Sequence, residues 1–225
     1  QIILQSKCAI RPGIAFDFSK EHILQSVDDI LNRLRTDYLD ILLLHRPDTL
    51  MEPEEVADAF RTLKAAGKVR HFGVSNQTPM QILNKYLDEP LLINQLQFSI
   101  AHCPMINSGI NANMYNDSAI NRDGGILEYC RLKDITIQAW SPFQYGMFKG
   151  VFLGNEKFLE LNKVINELAE KYNVTDSAIA VAWILRHPAR IQTIIGTTNK
   201  DRIAQISKAS NVHLTREEWY RLYMA

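Results

Sequence analysis

Three observations predict an α/β fold with a parallel sheet for this chain of 225 residues. Short apolar runs alternate with helical patterns from one end to the other, as strands joined by crossover helices require. Two of the runs, LDILLL (Leu39–Leu44) and TIIG (Thr193–Gly196), are hydrophobic throughout instead of alternating, as strands covered on both faces are. No G-x-G-x-x-G follows any strand, which argues against an open, doubly wound, dinucleotide-binding sheet. The closed (β/α)8 TIM barrel is therefore the predicted architecture, represented here by about six βα units plus extra helices. A barrel of this kind takes roughly 250 residues. The expectation is a single barrel domain over residues 1–225 that lacks two N-terminal units, or roughly 60 residues.

The elements can be justified in order. The chain opens on an apolar run, Ile2–Gln5, read as a strand already under way at Gln1. From about Ser19, Ile23, Val27, Ile30, Leu31 and Leu34 recur at helical spacing. Between these two elements, Arg11–Phe16 is expected to be a short turn. After the Leu39–Leu44 strand, Pro53 starts a helix at its first turn, Val56, Ala57, Phe60 and Leu63 form its buried stripe, and Gly67 ends it. His71–Val74 is a third strand. Thr78 and Gln81 have capping-box spacing, in which a hydroxyl and an amide satisfy free N–H groups, and their helix is expected to run to about Leu87. Leu91–Phe98 is a fourth strand. The polar stretch Ala101–Arg122 reads as a long loop, of the kind that is commonly functional. A helix over Gly125–Leu132 precedes a strand over Thr136–Trp140. After a second long loop, helices over Asn155–Tyr172 and Asp176–Arg186 lead to a last strand, Gln192–Ile195. Asn199 caps the next helix, and Thr215 with Glu218 forms another capping box for a terminal one.

Composition excludes several functions. Lys plus Arg and Asp plus Glu each number 25, so the formal charge is zero. No segment gathers the basic residues that a polyphosphate backbone demands, and nucleic acid is not an expected partner. Cys8, Cys103 and Cys130 are odd in number and lack C-x-x-C spacing, so no metal site or redox pair is expected and a reduced, cytoplasmic setting fits. No apolar segment approaches the roughly 20 residues that span a bilayer.

In a barrel the chemistry collects where the strands end at their carboxyl termini. The polar residues falling there are Ser6 and Lys7; His45, Arg46 and Asp48; Ser75 and Asn76; Asn94, Gln95 and Gln97; Gln138, Trp140 and Ser141; and Thr197, Thr198 and Asn199. Taken singly, a histidine or lysine at a strand end is commonly structural. Together, a lysine, a histidine, several amides and a large aromatic describe a site for a polar, planar ligand.

The motifs also carry a resemblance. Ser6-Lys7, DYLDILLLHRPD (Asp37–Asp48), GKVRHFGVSN (Gly67–Asn76), NQLQ (Asn94–Gln97), AWSPF (Ala139–Phe143) and I-I-G-T-x-x-x-x-R (Ile194–Arg202) occur in an order similar to that of the aldo-keto reductase family, specifically its bacterial oxidoreductase branch. The resemblance runs the length of the chain. It implies an NAD(P)H-dependent oxidoreductase that reduces an aldehyde or ketone to an alcohol by hydride transfer. Within the family's Asp, Tyr, Lys, His tetrad it assigns the last two places to Lys7 and His45. A tyrosine phenol has a pKa of about 10, so an adjacent ammonium that stabilises phenolate makes its proton available. His45 would hydrogen-bond the carbonyl oxygen.

By the same resemblance Ser75, Asn76 and Gln95 would hold the nicotinamide carboxamide and Trp140 would stack on its ring. Ser141 and Phe143 would border the pyrophosphate, and Gly196, Thr197, Thr198, Asn199, Arg202 and Gln205 would take the adenosine end, where helix amides and a guanidinium suit phosphate. Many family members have a lysine where this chain has Gly196. Arg202 remains, so NADPH is the expected cofactor and NADH the alternative. A small carbonyl or alcohol substrate and a monomer are expected. No tyrosine here stands in the family's D-x-x-x-x-Y setting, so a second class stays open: a nicotinamide-nucleotide-binding regulatory or redox-sensing protein without turnover. On the long loops, Met105, Met114, Tyr115, Tyr145, Met147 and Phe148 would line an adaptable apolar cavity or pack on one another.

Overall fold

The computed structural model describes residues 2–82 and 84–225, which divide into two compact units. The first comprises the chain up to Gln95 together with Asp123–Ile135, and the second comprises Leu96–Arg122 with Thr136–Ala225.

In the first unit the parallel strands β1 (Gln5–Cys8), β4 (Leu39–Leu44), β5 (Val69–Ser75) and β6 (Ile93–Gln97, its last two residues in the second unit) lie side by side in that order. Leu42, Leu43 and Leu44 are fully buried, as a sheet covered on both faces demands. Helix α1 (Lys20–Leu34) turns Ile23, Val27, Ile30 and Leu31 inward, and the Ser19 hydroxyl accepts from the His22 amide to start it. Helix α2 (Pro53–Ala65) buries Val56, Ala57, Ala59, Phe60 and Leu63, and the Phe60 ring stacks on Phe72 of β5 with centroids 3.9 Å apart. Gly67 follows at φ 69°, the left-handed conformation that favours glycine.

Register decides what the sheet presents. Lys7 pairs with Leu43, Leu43 with Gly73 and Gly73 with Ile93. Since side chains alternate with period two, His45, Ser75 and Gln95 form the next row on that face, at the carboxyl edge. Gly73 is required beneath them. A Cβ there would sit 2.5 Å from Leu43 Cδ2 and 2.8 Å from the Ile93 carbonyl oxygen, and the latter is backbone that cannot yield. Gly73→Ala is therefore expected to destabilise the protein by about 2 kcal/mol, the scale of core overpacking, seen as a lowered urea midpoint; an unchanged midpoint would contradict this packing.

In the second unit β7 (Thr136–Trp140) pairs in parallel with β8 (Gln192–Thr193). Helix α5 (Leu159–Tyr172) buries one stripe, Leu161, Val164, Ile165 and Leu168, whereas α6 (Asp176–Leu185) buries every residue from Ala178 to Ile184, the pattern of a helix enclosed on all sides. Trp183 of α6 and Trp219 of α8 (Arg216–Met224) stack with centroids 4.8 Å apart, and each indole N–H donates to the other residue's carbonyl, at 3.1 and 3.0 Å. Helix α7 (Lys200–Ser207) starts at Asn199, whose Oδ1 accepts from the Arg202 amide at 3.0 Å.

Several expectations are corrected. The first strand is Gln5–Cys8, not Ile2–Gln5: its ladder begins where Asp40 and Ile41 donate to the Leu4 carbonyl, while Ile2 and Ile3 are exposed, and Gln1 lies outside the described residues. Arg11–Phe16 is a hairpin of β2 (Ile10–Arg11) and β3 (Ala15–Phe16), not a bare turn. The capping box of Thr78 and Gln81 forms but opens a single 3-10 turn, Pro79–Gln81, where a helix to Leu87 was expected. Asn84 Oδ1 instead accepts from the Leu91 amide at 2.8 Å, and Leu83 lies outside the described residues. The stretch Ala101–Arg122 contains a helix, α3 (Pro104–Ile110), with Pro104 at its first turn. The Gly125–Leu132 helix is α4 (Ile126–Leu132), capped by Gly125. The last strand closes at Thr193, although the Ile194 amide still donates to the Ala139 carbonyl at 2.9 Å.

Candidate functional site

The first unit gathers five of the expected residues. Lys7 lies near the end of β1, and the His45 amide, just past β4, donates to the Cys8 carbonyl at 3.0 Å. The Lys7 ammonium donates to Gln95 Oε1 at 2.8 Å across two intervening strands. Its partner is a neutral amide, and among the described residues no carboxylate forms an ion pair with Lys7. Burial lowers its pKa from 10.5, because a desolvated ammonium is disfavoured. His45 is lowered from 6.5, first by desolvation and then by the positive charges of Lys7 and Arg46. The imidazole is thus neutral near pH 7, and the ammonium keeps a charge that its amide partner does not cancel.

Ser75 orients its neighbour. Its buried hydroxyl donates to the Gln95 carbonyl at 3.1 Å and accepts from Asn76 Nδ2 at 2.9 Å, while the Asn76 amide donates to the same carbonyl at 3.0 Å. Asn76 sits at φ 56°, Ala9 just past β1 at φ 79° and Ser141 just past β7 at φ 52°. Left-handed backbone at a non-glycine residue costs on the order of 1 kcal/mol, and such positions cluster at functional sites. Ala9 gave no sequence signal; asparagine, which tolerates this region, gave a weak one. Asp48 holds the loop after β4, accepting from the Phe18 amide through Oδ2 and the Leu50 amide through Oδ1, both at 2.9 Å.

The second unit carries the other expected residues. Trp140 ends β7, where its carbonyl accepts from the Phe98 amide at 3.3 Å. Ser141 opens a turn closed by the Gln144 amide at 3.1 Å, and the Phe143 carbonyl accepts from the Phe152 amide at 3.0 Å. Because Ala139 pairs with Thr193, the segment from Gly196 leaves the sheet beside this turn. Gly196 is exposed at φ 60° with no heavy atom within 4 Å of a built Cβ. Thr197 Oγ1 accepts from the Asn199 amide at 3.1 Å. Thr198, Arg202 and Gln205 are exposed, and among the described residues the Arg202 guanidinium forms no ion pair. Open backbone, the N-terminus of an eight-residue helix and an uncommitted guanidinium fit a phosphate-bearing cofactor.

Of the expected cavity residues, Met105 is buried in α3 and belongs to the core, Tyr145 packs against Phe158, and Met114, Tyr115, Met147 and Phe148 are exposed. All three cysteines are buried and unpaired, and burial raises each thiol to about 12, which leaves them unreactive. Among the described residues no cluster of His, Cys, Asp or Glu suits a metal ion, and no helix is long and apolar enough to cross a membrane.

Comparison with known proteins identifies the family and the fold. The model of the aldo/keto reductase family matches residues 1–224. The uncharacterized oxidoreductase YcsN of Bacillus subtilis is 37% identical over 93% of the chain and 65% of its own length. A 6-dehydroglucose reductase of Agrobacterium fabrum is 34% identical over 92% of the chain and 64% of its own length. The chain thus spans just under two thirds of these curated relatives. The crystal structure of a thermostable aldo-keto reductase bound to the inhibitor epalrestat superposes with a TM-score of 0.72 at 25% identity, covering 92% of this chain and 67% of the other. A match from end to end, on the barrel fold that the alternating elements predict, shows that the chain belongs to the aldo/keto reductase family.

Proposed function

We propose that the protein is an NADP(H)-dependent reductase of an aldehyde or ketone. The observation that carries this reading is the half-buried Lys7 ammonium, held by Gln95 and uncompensated by any described carboxylate, at the strand end next to a neutral His45. When bound, the cofactor supplies the hydride. Lys7 would draw down the pKa of a phenol set against it, so that proton transfer to the carbonyl oxygen accompanies hydride arrival. His45 would donate a hydrogen bond to that oxygen and fix its angle. Asn76, positioned by Ser75, and Gln95 offer amide donors and acceptors for a carboxamide. Trp140 would stack on the nicotinamide, Ser141 and Phe143 would border the pyrophosphate, and Gly196 to Asn199 with Arg202 and Gln205 would take the adenosine phosphates. An oxidised sugar aldehyde is a reasonable first substrate, since a relative at 34% identity is named for one.

A specific observation keeps a second reading, cofactor binding without turnover. None of the described tyrosines is bonded to Lys7 or His45; Tyr38 stacks under Arg70 and Tyr172 is held by Glu218. Cofactor oxidation over a panel of aldehydes, with quenching of tryptophan fluorescence by NADPH, separates the two. The intact mass of the assayed sample is read against the 25.8 kDa of these residues. Turnover supports the reductase, and binding without turnover supports the alternative.

Cofactor preference has its own test. Arg202→Ala is expected to raise KM for NADPH about thirtyfold, the worth of one exposed charge-assisted contact to phosphate, and to move KM for NADH far less. A wild-type protein with higher kcat/KM for NADH would overturn the NADPH assignment.

A further inference from the structure

Asn94 has no role in the assignments above, yet it is wholly buried and directly precedes Gln95, the partner of Lys7. Along β6, Asn94 pairs with Val74 and Gln95 with Ser75. By the period of two, the Asn94 side chain leaves the sheet on the face opposite to Lys7 and Gln95. From that face Asn94 Nδ2 donates to the Gln77 main-chain carbonyl at 2.8 Å. Asn76 is therefore gripped from both sides. Its own amide and the Ser75 hydroxyl before it donate to the Gln95 carbonyl, at 3.0 and 3.1 Å, and Gln77 after it is tied to Asn94. All of these residues belong to the first unit.

Asn76 stands at φ 56°, and a left-handed residue of this kind persists only where its surroundings over-determine it. Anchors on the peptide groups before and after it do so. Stability alone does not account for the Asn94 amide. Asn94 Oδ1 and the buried Gln77 Oε1 meet no donor among the described residues, and a buried acceptor without a donor is unfavourable. An apolar side chain of similar size would remove the first of these acceptors, but it could not hold the Gln77 carbonyl. The one hydrogen bond that Asn94 does make acts on the position of Asn76.

We propose that Asn94 is a positioning residue: by holding the Gln77 carbonyl it keeps Asn76 in the conformation that meets the nicotinamide carboxamide, and so sets how tightly that end of the cofactor is bound. This deepens the reading above and rests on its cofactor-binding part, not on turnover. The probes are NADPH and 2′-phospho-ADP-ribose, the same nucleotide without its nicotinamide ring, each titrated into the full-length protein by calorimetry. The wild-type protein is expected to bind NADPH more tightly than the fragment. Asn94→Leu is expected to raise Kd for NADPH about tenfold, the worth of roughly one hydrogen bond, and to leave Kd for the fragment within about twofold. Asn94→Ala, which demands no added space, should give the same pattern if the leucine is not accommodated. Gln77→Leu removes the side-chain acceptor but leaves the main-chain carbonyl, and should change neither Kd. Equal weakening of both probes by the Asn94 variants, an unchanged Kd for NADPH, or the same selective loss in Gln77→Leu would overturn the proposal while the cofactor reading stands. A wild-type protein that binds neither probe would defeat that reading and the proposal together.

Discussion

Replacing Lys7 with methionine is expected to lower kcat for carbonyl reduction about a thousandfold, the scale of losing an assisted proton transfer. The reason lies in the company Lys7 keeps. Its ammonium bonds a neutral amide, Gln95, so its full charge remains available to stabilise phenolate. Arginine is not expected to rescue, because a planar, always charged fork cannot reproduce a compact ammonium inserted beside Gln95. Methionine also removes the Lys7 hydrogen bond to Gln95 Oε1, at a cost in stability of about 1 to 3 kcal/mol, the scale of one hydrogen bond from a charged group. Activity and stability should therefore be measured separately. Their pH dependences run in opposite directions. The charged form is the active one, so kcat falls as pH rises through the lowered Lys7 pKa. Burial penalises that same form in the folded state only, so the unfolded chain holds more protons in the window between the lowered value and 10.5, and stability rises with pH there. In Lys7→Met both effects should vanish, and an alkaline limb that survives would assign it to another group.

His45→Ala is expected to cost about a hundredfold to a thousandfold in kcat/KM, the range for removing one donor to a developing oxyanion. His45→Gln, which still offers an N–H, should lose less. Because desolvation, Lys7 and Arg46 all lower the His45 pKa from 6.5, the neutral ring persists to lower pH than a free histidine would allow. The acid limb of kcat/KM should therefore lie below 6.5 and disappear in His45→Gln. Folding responds in the same window: as pH falls below 6.5 the unfolded chain takes up the proton before the folded one, so stability falls. An acid limb centred above 6.5 would show that the ring is not held neutral in this way.

Much of the fold was legible because its signals are local. The spacing of Ile23, Val27, Ile30 and Leu31, Pro53 at a first turn, and the pairs Thr215 with Glu218 and Asn199 with the Arg202 amide each act within a few residues, and each forms as read. Where the sequence misleads, the signal is outcompeted, masked or too short. The capping box at Thr78 and Gln81 forms, yet helix does not propagate, because Asn84 serves the Leu91 amide instead. The helix at Pro104 was hidden by its polar setting, although proline at a first turn was the available signal. The hairpin at Ile10–Phe16 has strands of two residues each, too few to show a period in the sequence.

The candidate site divides along the same line. The sequence by itself determined which residue types stand at the strand ends, since each motif is contiguous and its chemistry is carried by side-chain identity: Lys7, His45, Asn76, Gln95, Trp140, Arg202. Only the tertiary structure decided what those groups are paired with. Parallel register sets His45, Ser75 and Gln95 in one row above Leu43, Gly73 and Ile93, and the reach of Lys7 across it joins residues 88 apart in the chain. The same register requires Gly73, and burial, which no linear motif encodes, lowers the pKa values of Lys7 and His45. Identity is a property of position in the chain, whereas desolvation and pairing are properties of position in space, and the proposed chemistry depends on both.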